Sequence, residues 1–444
     1  MNATLVLCVS VVFASGAFAQ VAVTGAPGAK LSDLAGSPTL VTVILKATGA
    51  QDKNLKIVEI GDKYFTVESS SGEHNAYPFA AVREIKVQDG KVAAKEFRLE
   101  ASKTLTEDEQ KVVTRAKQRA EELFNEANND QDIKMQAALL MTISGNEAGR
   151  DYLNTLAGTN DLKTRLAAVE QLYLADDTAN AKAVLDAALA SGDRKIKSAA
   201  AKLAGVIHYE AATQTLMGMV QDRSPDFMSS AGLALARLGN RDIIPVLLGA
   251  LTGLDETKGT AASHALAVLG GPDLIEQMKL KLKSADGAAR FRIIYVLFKL
   301  SDPLGRQLLI EDALKNPLQD TDAAVLLAQA GDNTGQRWLR EKYFTRRAGT
   351  SADELEKRAV AAAALIASGD ASAVTQFQEL LRSEDPRVQA KACTEIGLLG
   401  KRNLVVITQA TIESPNLTVA LAGTRAAIAI ANTEYRNRLL EWSY

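Results

Sequence analysis

From about Gln131 to the C-terminus, apolar residues recur at helical spacing and are interrupted at regular intervals by short polar turns. One stretch shows the unit: Leu238-Gly239-Asn240-Arg241-Asp242-Ile243-Ile244-Pro245-Val246-Leu247-Leu248. An apolar helix ends in Leu-Gly, a polar turn follows, and a second apolar helix begins. Glycine suits a helix end because it accepts left-handed backbone. Proline suits a helix start because its missing N–H would be unpaired there anyway. The turn returns as Leu269-Gly270-Gly271-Pro272-Asp273-Leu274-Ile275 and as Leu399-Gly400-Lys401-Arg402-Asn403-Leu404-Val405.

Divisions near Gln131, Asp161, Asp193, Arg223, Leu254, Asp286, Pro317, Gly349, Asp385 and Pro415 give about ten units of roughly 31 residues, a solenoid period. Several first helices open on an aspartate placed to cap free amide groups, as at Asp161, Asp193 and Asp385. Ser224-Pro225 and Ser414-Pro415 offer the same device with serine. Alanine-rich stretches such as Ala359-Val360-Ala361-Ala362-Ala363-Ala364 predict close helix approach. Two units depart from the pattern. Asn333-Thr334-Gly335-Gln336 lacks the expected turn, and residues 349–357 read as an insertion with a Ser351/Glu354 capping box.

Upstream the period changes. Residues 39–100 carry strand-like runs, Leu40–Leu45, Leu55–Ile60, Tyr64–Glu68 and Val82–Val87, separated by glycine-containing turns. A small closed or half-closed β-barrel is expected there. Residues 104–129 then predict a connecting helix. It opens on a Thr106/Glu109 capping box and carries an apolar stripe through Val112 or Val113, Ala116, Ala120, Leu123 or Phe124, and Ala127. That stripe needs burying, and docking on the first repeat would bury it.

These residues carry two resemblances. Asp-x-x-Val/Ile, an alanine-rich helix, Leu-Gly, a polar turn and a second apolar helix resembles HEAT repeats, and the short period is most similar to the HEAT-like units named after phycobilisome lyases. The resemblance covers residues 131–444. It implies an α-solenoid whose inner helices offer an extended binding surface, and for an open stack of ten pairs a rod roughly 100 Å long. Tyr77-Pro78-Phe79-Ala80-Ala81-Val82-Arg83-Glu84-Ile85 resembles the closing segment of small Sm-like barrels. The expected fold is therefore an α-solenoid of antiparallel helix pairs preceded by a small all-β barrel-like domain.

Composition fixes the address more than the chemistry. Over 444 residues the apolar share is 47% and the charged share 23%, as in folded soluble chains. A net charge of −2 gives no reason to expect nucleic acid as a partner. Leu5–Phe13 is a short apolar run followed by Ala17-Phe18-Ala19, which predicts a signal peptide over residues 1–19, cleavage before Gln20, and no stable membrane anchor afterwards. A flexible leader over 20–38 follows from its Gly, Ala, Ser and Pro content. Cleavage leaves one cysteine, Cys393, in an apolar helical pattern that makes it a small buried hydrophobe.

Candidate chemistry is sparse. His74, His208 and His264 show no metal-ligand spacing, and no phosphate loop, His-Glu-x-x-His or Gly-x-Ser-x-Gly motif is present. No catalytic residue, metal site or cofactor is expected. Asn416-Leu417-Thr418 is a glycosylation sequon placed at a helix start. One basic and aromatic run stands out as a partner-binding candidate: Arg337, Trp338, Arg340, Lys342, Tyr343, Arg346 and Arg347. In the competing reading Trp338, Leu339, Tyr343 and Phe344 are the buried side of a second helix.

Three functions fit this sequence. The first is a non-enzymatic protein-binding scaffold of the bacterial cell envelope, periplasmic or extracellular. The second is an enzyme or lyase-like accessory with a site in the concave groove. The third is an envelope component that self-assembles end to end.

Overall fold

The computed structural model describes residues 22–24, 40–45, 51–60, 64–68, 74–78, 82–87 and 105–442, apart from 128–129, 223, 318 and 346–350. The expected signal peptide lies outside the described residues. The described chain divides into two compact units. One takes residues 105–216 and 308–442, and the other takes the strands upstream of 105 together with residues 217–307.

In the second unit six strands form one sheet: β1 (Ala22–Thr24), β2 (Leu40–Leu45), β3 (Gln51–Ile60), β4 (Tyr64–Glu68), β5 (His74–Pro78) and β6 (Val82–Val87). Their order is β1-β6-β2-β3-β4-β5, so the last strand returns beside the first long one. Val41, Val43, Leu55, Ile57, Val67 and Ile85 are buried, while Lys53, Lys56 and Val58 are exposed. This is the period-two alternation of a sheet with one covered face. Among the described residues β1 and β5 are edges, with no pairing that would close the sheet into the expected barrel. The leader also differs from expectation, because Ala22–Thr24 pairs in parallel with Glu84–Lys86.

The helices of this unit make three pairs. In the first, α8 (Pro225–Phe227), a π-helical segment (Met228–Gly232) and α9 (Leu233–Arg237) form one interrupted helix, answered by α10 (Ile244–Leu251). Then follow α11 (Glu256–Leu269) with α12 (Pro272–Leu282), and α13 (Gly287–Lys299) with α14 (Pro303–Glu311). Arg292 threads through all three. Its guanidinium donates to the carbonyls of Leu251 and Gly253, at 2.9 and 3.0 Å, where α10 ends with unpaired acceptors. Gly259 leaves it room, since a Cβ there would lie 2.4 Å from Cζ of Arg292.

The other unit begins with α1 (Glu107–Glu126). It continues as α2 (Gln131–Ile143) with α3 (Glu147–Ala157), α4 (Leu162–Leu174) with α5 (Ala181–Leu189), and α6 (Arg194–Val206) with α7 (Thr213–Gln221). After the excursion through the second unit come α15 (Asp320–Gln329) with α16 (Asn333–Tyr343), α17 (Ala352–Ala367) with α18 (Val374–Leu380), α19 (Pro386–Leu399) with α20 (Gln409–Ile412), and α21 (Leu417–Ala431) with α22 (Thr433–Trp442).

Two local rules generate the pairs. First helices are capped by aspartate side chains: Asp161 accepts from Thr164 N, Asp193 from Lys195 N, Asp255 from Lys258 N and Asp385 from Arg387 N. Serine does not cap as expected at either site: Ser224 precedes α8 without a side-chain capping bond, and at 414 Asn416 caps α21 while Ser414 only braces the amide of Asn416. In nine of the pairs the turn carries a residue of positive φ, at 145, 176, 208, 239, 270, 301, 331, 369 and 400, with Gly271 adding a second at the fifth. Those positions step by 30–32 residues except from 331 to 369, where the insertion falls. The seventh turn is therefore regular after all. It sits at Gly331, and Asn333–Gln336 is already the first turn of α16.

Four residues past the turn, the second helix meets its partner. Gly149, Ala212, Ile243, Leu274, Gly305, Gly335, Ala373 and Leu404 occupy that position and are buried. In the second pair the corresponding Asn180 is exposed, and Ala181 takes the buried place one residue later. At Gly305 the approach is closest, and a Cβ would lie 2.3 Å from the backbone N of Phe298.

The tenth pair breaks both rules. Asn432, which joins α21 to α22, has φ −120° instead of a left-handed conformation. Four residues on stands Arg436, whose guanidinium lies against the turn at Gly400 and donates to its carbonyl at 3.3 Å. A guanidinium cannot fill a slot that elsewhere takes hydrogen, methyl or an aliphatic chain without losing its hydration. The contacts of α22 are correspondingly thin on α21 and reach α19 and α4. Arg438 donates to the Leu174 carbonyl at 3.0 Å, Tyr173 donates to Glu441 at 2.8 Å, and Lys202 Nζ lies 4.6 Å from the Trp442 ring centre.

The place beside α21 is taken by α1, which packs on α2, α20 and α21. Its capping box forms as the sequence predicts, and Val112, Val113, Ala116, Ala120 and Leu123 are buried. The stripe thus docks on the first repeat, as expected, and on the last one as well. Arg115 of α1 spans the junction with two hydrogen bonds to Glu413, one of 2.8 Å. First and last repeats are neighbours, and this unit is not the open rod with two free ends that the period alone suggests.

The turn rules predict opposite effects for two neighbouring substitutions. Ser301, at φ 61°, carries a Cβ in left-handed backbone, so Ser301→Gly should stabilise by about 0.5–1 kcal/mol. Gly305→Ala should destabilise by about 1–3 kcal/mol through overpacking. Thermal unfolding of both variants checks the pair.

Candidate partner-binding surface

The basic and aromatic run forms α16. Asp332 caps it by accepting from Thr334 N at 2.7 Å. Gly335 then brings the helix hard against α15, where a Cβ would meet the Ala324 carbonyl at 2.5 Å. That approach fixes which residues face inward. Leu339 and Tyr343 are buried, Trp338 and Phe344 are half-buried, and Arg337, Arg340 and Lys342 are exposed or partly so. Arg346 and Arg347 lie outside the described residues.

Three of the candidate residues come together. Lys342 Nζ sits 4.5 Å from the Trp338 ring centre and 5.7 Å from that of Tyr343, and the two rings meet edge to face at 6.4 Å. The same ammonium donates to both carboxylate oxygens of Asp320 at 2.9 Å. Tyr343 shares a 2.8 Å hydrogen bond with the Thr321 hydroxyl, and burial pushes its phenol up to about 12. Arg340 turns the other way and donates to Asp370 at 2.7 Å. Burial works to raise the Asp370 carboxyl, but the Ser372 hydroxyl and Arg340 outweigh it and hold the carboxyl below its ordinary value.

Much of the positive charge in the run is therefore answered by acids on the partner helix and on the next repeat. Arg340 ties the seventh pair to the eighth, and Lys342 ties α16 to α15. What remains presented is Arg337 and the open part of Trp338. The acids that do this, Asp320 and Asp370, carry no motif that marks them in the sequence. Each lies about one helix away from its partner, and only a known pair geometry makes that separation a contact.

Other singled-out residues serve the fold. Cys393 is buried, with its thiol pushed up to about 12 by burial. His208 occupies a turn position. His264 lies 5.2 Å from the Tyr295 ring, and burial, aided by Lys299, lowers it to about 4. Asn416 spends its side chain capping α21. Glu170 is pushed up to about 7 by burial, against the pull of Lys202. Among the described residues no group of three His, Cys, Asp or Glu could hold a metal ion, and no helix is long and apolar enough to cross a membrane.

Residues 181–267 match the family described as HEAT repeats, so the chain carries HEAT repeats there. Human deoxyhypusine hydroxylase in complex with glycerol is 17% identical, with 56% of this chain and 97% of that one covered and a TM-score of 0.29. An engineered protein is 16% identical over 74% of this chain and 100% of its own, with a TM-score of 0.28. A Kap121p mutant is 13% identical over 72% of this chain and 37% of its own, with a TM-score of 0.31. Scores this low carry no weight for function. No curated protein matches the chain.

Asp322, two residues along α15 from the Asp320 that anchors Lys342, gives a test of this surface by pH. Burial pushes its carboxyl from 3.8 to about 6, with Lys357 opposing and Asp320 adding to the rise. Between those values the folded chain holds a proton that the unfolded chain has shed, so stability falls as pH rises through the window. Asp322→Asn should therefore raise the unfolding midpoint at pH 7.5 and lose that advantage by pH 4. Midpoints recorded across that range check it.

Proposed function

We propose that this protein is a non-enzymatic scaffold that binds protein partners along its helical-repeat surface. The observation that carries the reading is the repeat architecture itself. Caps, left-handed turns and buried contacts consume the same few positions in each pair, and the remaining second-helix positions are free to be shaped for a partner. On α16 that freedom has produced an exposed arginine beside a half-buried tryptophan, the residue types that dominate interface energetics. Glu170, His264, Asp322, Tyr343 and Cys393 owe their shifted proton affinities first to burial. That supports binding over catalysis in a groove. End-to-end assembly is disfavoured by a different observation, because the first and last repeats already cover each other.

The export reading belongs here too. A signal peptide over residues 1–19 would deliver the protein to the periplasm or cell exterior of a bacterium, with an Sm-like β module as a second contact. Mass measurement of protein recovered from its native host should show Gln20 at the mature N-terminus, and an intact Met1 would refute export by cleavage.

Partner capture tests the scaffold reading. Full-length protein should crosslink a reproducible partner set from native envelopes. Arg337→Ser with Trp338→Ala should cut that capture by about tenfold or more, the loss expected of a hot spot. The unfolding midpoint should fall by only a few degrees, since Arg337 is exposed and Trp338 is half-buried, and the Trp338→Ala single variant separates that loss of packing from loss of capture. An undiminished partner set would remove α16 as the recognition surface.

A further inference from the structure

The tenth pair uses its second helix differently from the other nine. At the near end of α22, Asn432 accepts from Tyr435 N at 2.9 Å and Tyr435 is buried, so that end is held in place. The far end leaves its own pair and reaches the second and third. Arg438 donates to the Leu174 carbonyl at 3.0 Å and pairs with Asp176 at 2.9 Å, and the Tyr173 hydroxyl donates to Glu441 at 2.8 Å. The Trp442 ring lies 5.8 Å from that of Tyr173 and 4.6 Å from Lys202 Nζ, and Leu440 is buried at the same end. The receiving turn is unusual in the same place. Six of the nine left-handed turn positions are glycine, whereas Asp176, at φ 67°, holds a Cβ in that conformation. Its carboxylate is the one that Arg438 meets. A glycine would relax the turn and lose the ion pair, so the strained aspartate reads as a docking post for α22.

We propose that α22 is a releasable strap. Its far end lets go of the second pair while the helices beneath it stay folded, and release uncovers Tyr173 and Lys202 on the first helices α4 and α6. Three features separate this opening from unfolding of the whole unit. The contacts of α22 with its own pair are thin, because Arg436 stands where the other second helices bury a small or aliphatic side chain. The link to the second pair includes an ion pair whose acid is 74% exposed, and such pairs hold weakly. Finally, a helix of ten residues keeps little structure on its own. Once released it gives up its hydrogen bonds to water, so opening is visible as amide exchange. The strap stands apart from the scaffold reading, since its opening needs no partner.

Hydrogen exchange of the full-length chain tests it. Amides of residues 437–442 should exchange about tenfold or more faster than those of residues 424–431 in α21. Asp176→Gly should speed exchange at 437–442 by about twofold to fivefold, the loss expected of a partly exposed ion pair, and leave 424–431 unchanged. Its unfolding midpoint should not fall, because glycine relaxes the turn. Arg438→Ala also removes the bond to the Leu174 carbonyl and should speed 437–442 by about tenfold or more, again without moving 424–431. Simple fraying of a helix end would not respond to residue 176, so an unchanged rate at 437–442 in Asp176→Gly overturns the strap. Equal rates in the two segments, variants that speed both together, or a lowered midpoint in Asp176→Gly would overturn it as well, since α22 would then open only with the whole unit.

Discussion

The contact between the apolar stripe of α1 and the floor made by α21 and α2 is the one on which the rest of this unit depends. Fully burying a valine or leucine is worth about 1.5–3 kcal/mol, and Val112, Val113 and Leu123 are all buried there. A surface ion pair such as Arg115–Glu413 adds about 1 kcal/mol at most. The apolar term therefore holds the junction and the ion pair sets its register. Without the junction, α21 would expose a face that is nearly continuous in alanine, valine, leucine and isoleucine, and α2 would expose the side now covered by α1.

The junction exists because the tenth pair fails. Nine turns place a left-handed residue between their helices, and eight second helices bury a small or aliphatic side chain four residues later. Asn432 and Arg436 violate both conditions, so α22 is sent across α19 and α4 and its place is left open. Where the tenth pair departs from these rules, α1 packs beside α21.

Local chemistry was legible in the sequence and long-range chemistry was not. The Thr106/Glu109 box, the aspartate caps and the glycine turns could be read because each is settled within about four residues. The turn at Gly331 was misplaced by a few residues because the helix beginning at Asn333 opens with its own glycine, Gly335, which belongs to close packing and not to a turn. The neighbour of α21 could not be read, since periodicity says that a helix needs a partner but not which one. The candidate surface shows the same division. Arg340 and Lys342 looked like a basic patch along the chain, and in space they face Asp370 and Asp320. Arg337 and the open part of Trp338 keep their exposure because, among the described residues, no acid or apolar surface from another repeat covers them.

The placement of α1 also has a bearing on how the chain is made. Among the described helices the first, α1, is covered on one side by α2 and on the other by α20 and α21, so part of its stripe stays open until those late helices are made. A chain cut short before Leu417 retains a full set of early repeats, α2 included, yet never acquires α21, which covers the other side of α1. Such a fragment would display a partly uncovered apolar helix near its start, the kind of feature that holding and degrading machinery recognises. In this protein α1 works as a gauge of assembly: the part of its stripe that α2 leaves open is covered only once α20 and α21 are in place.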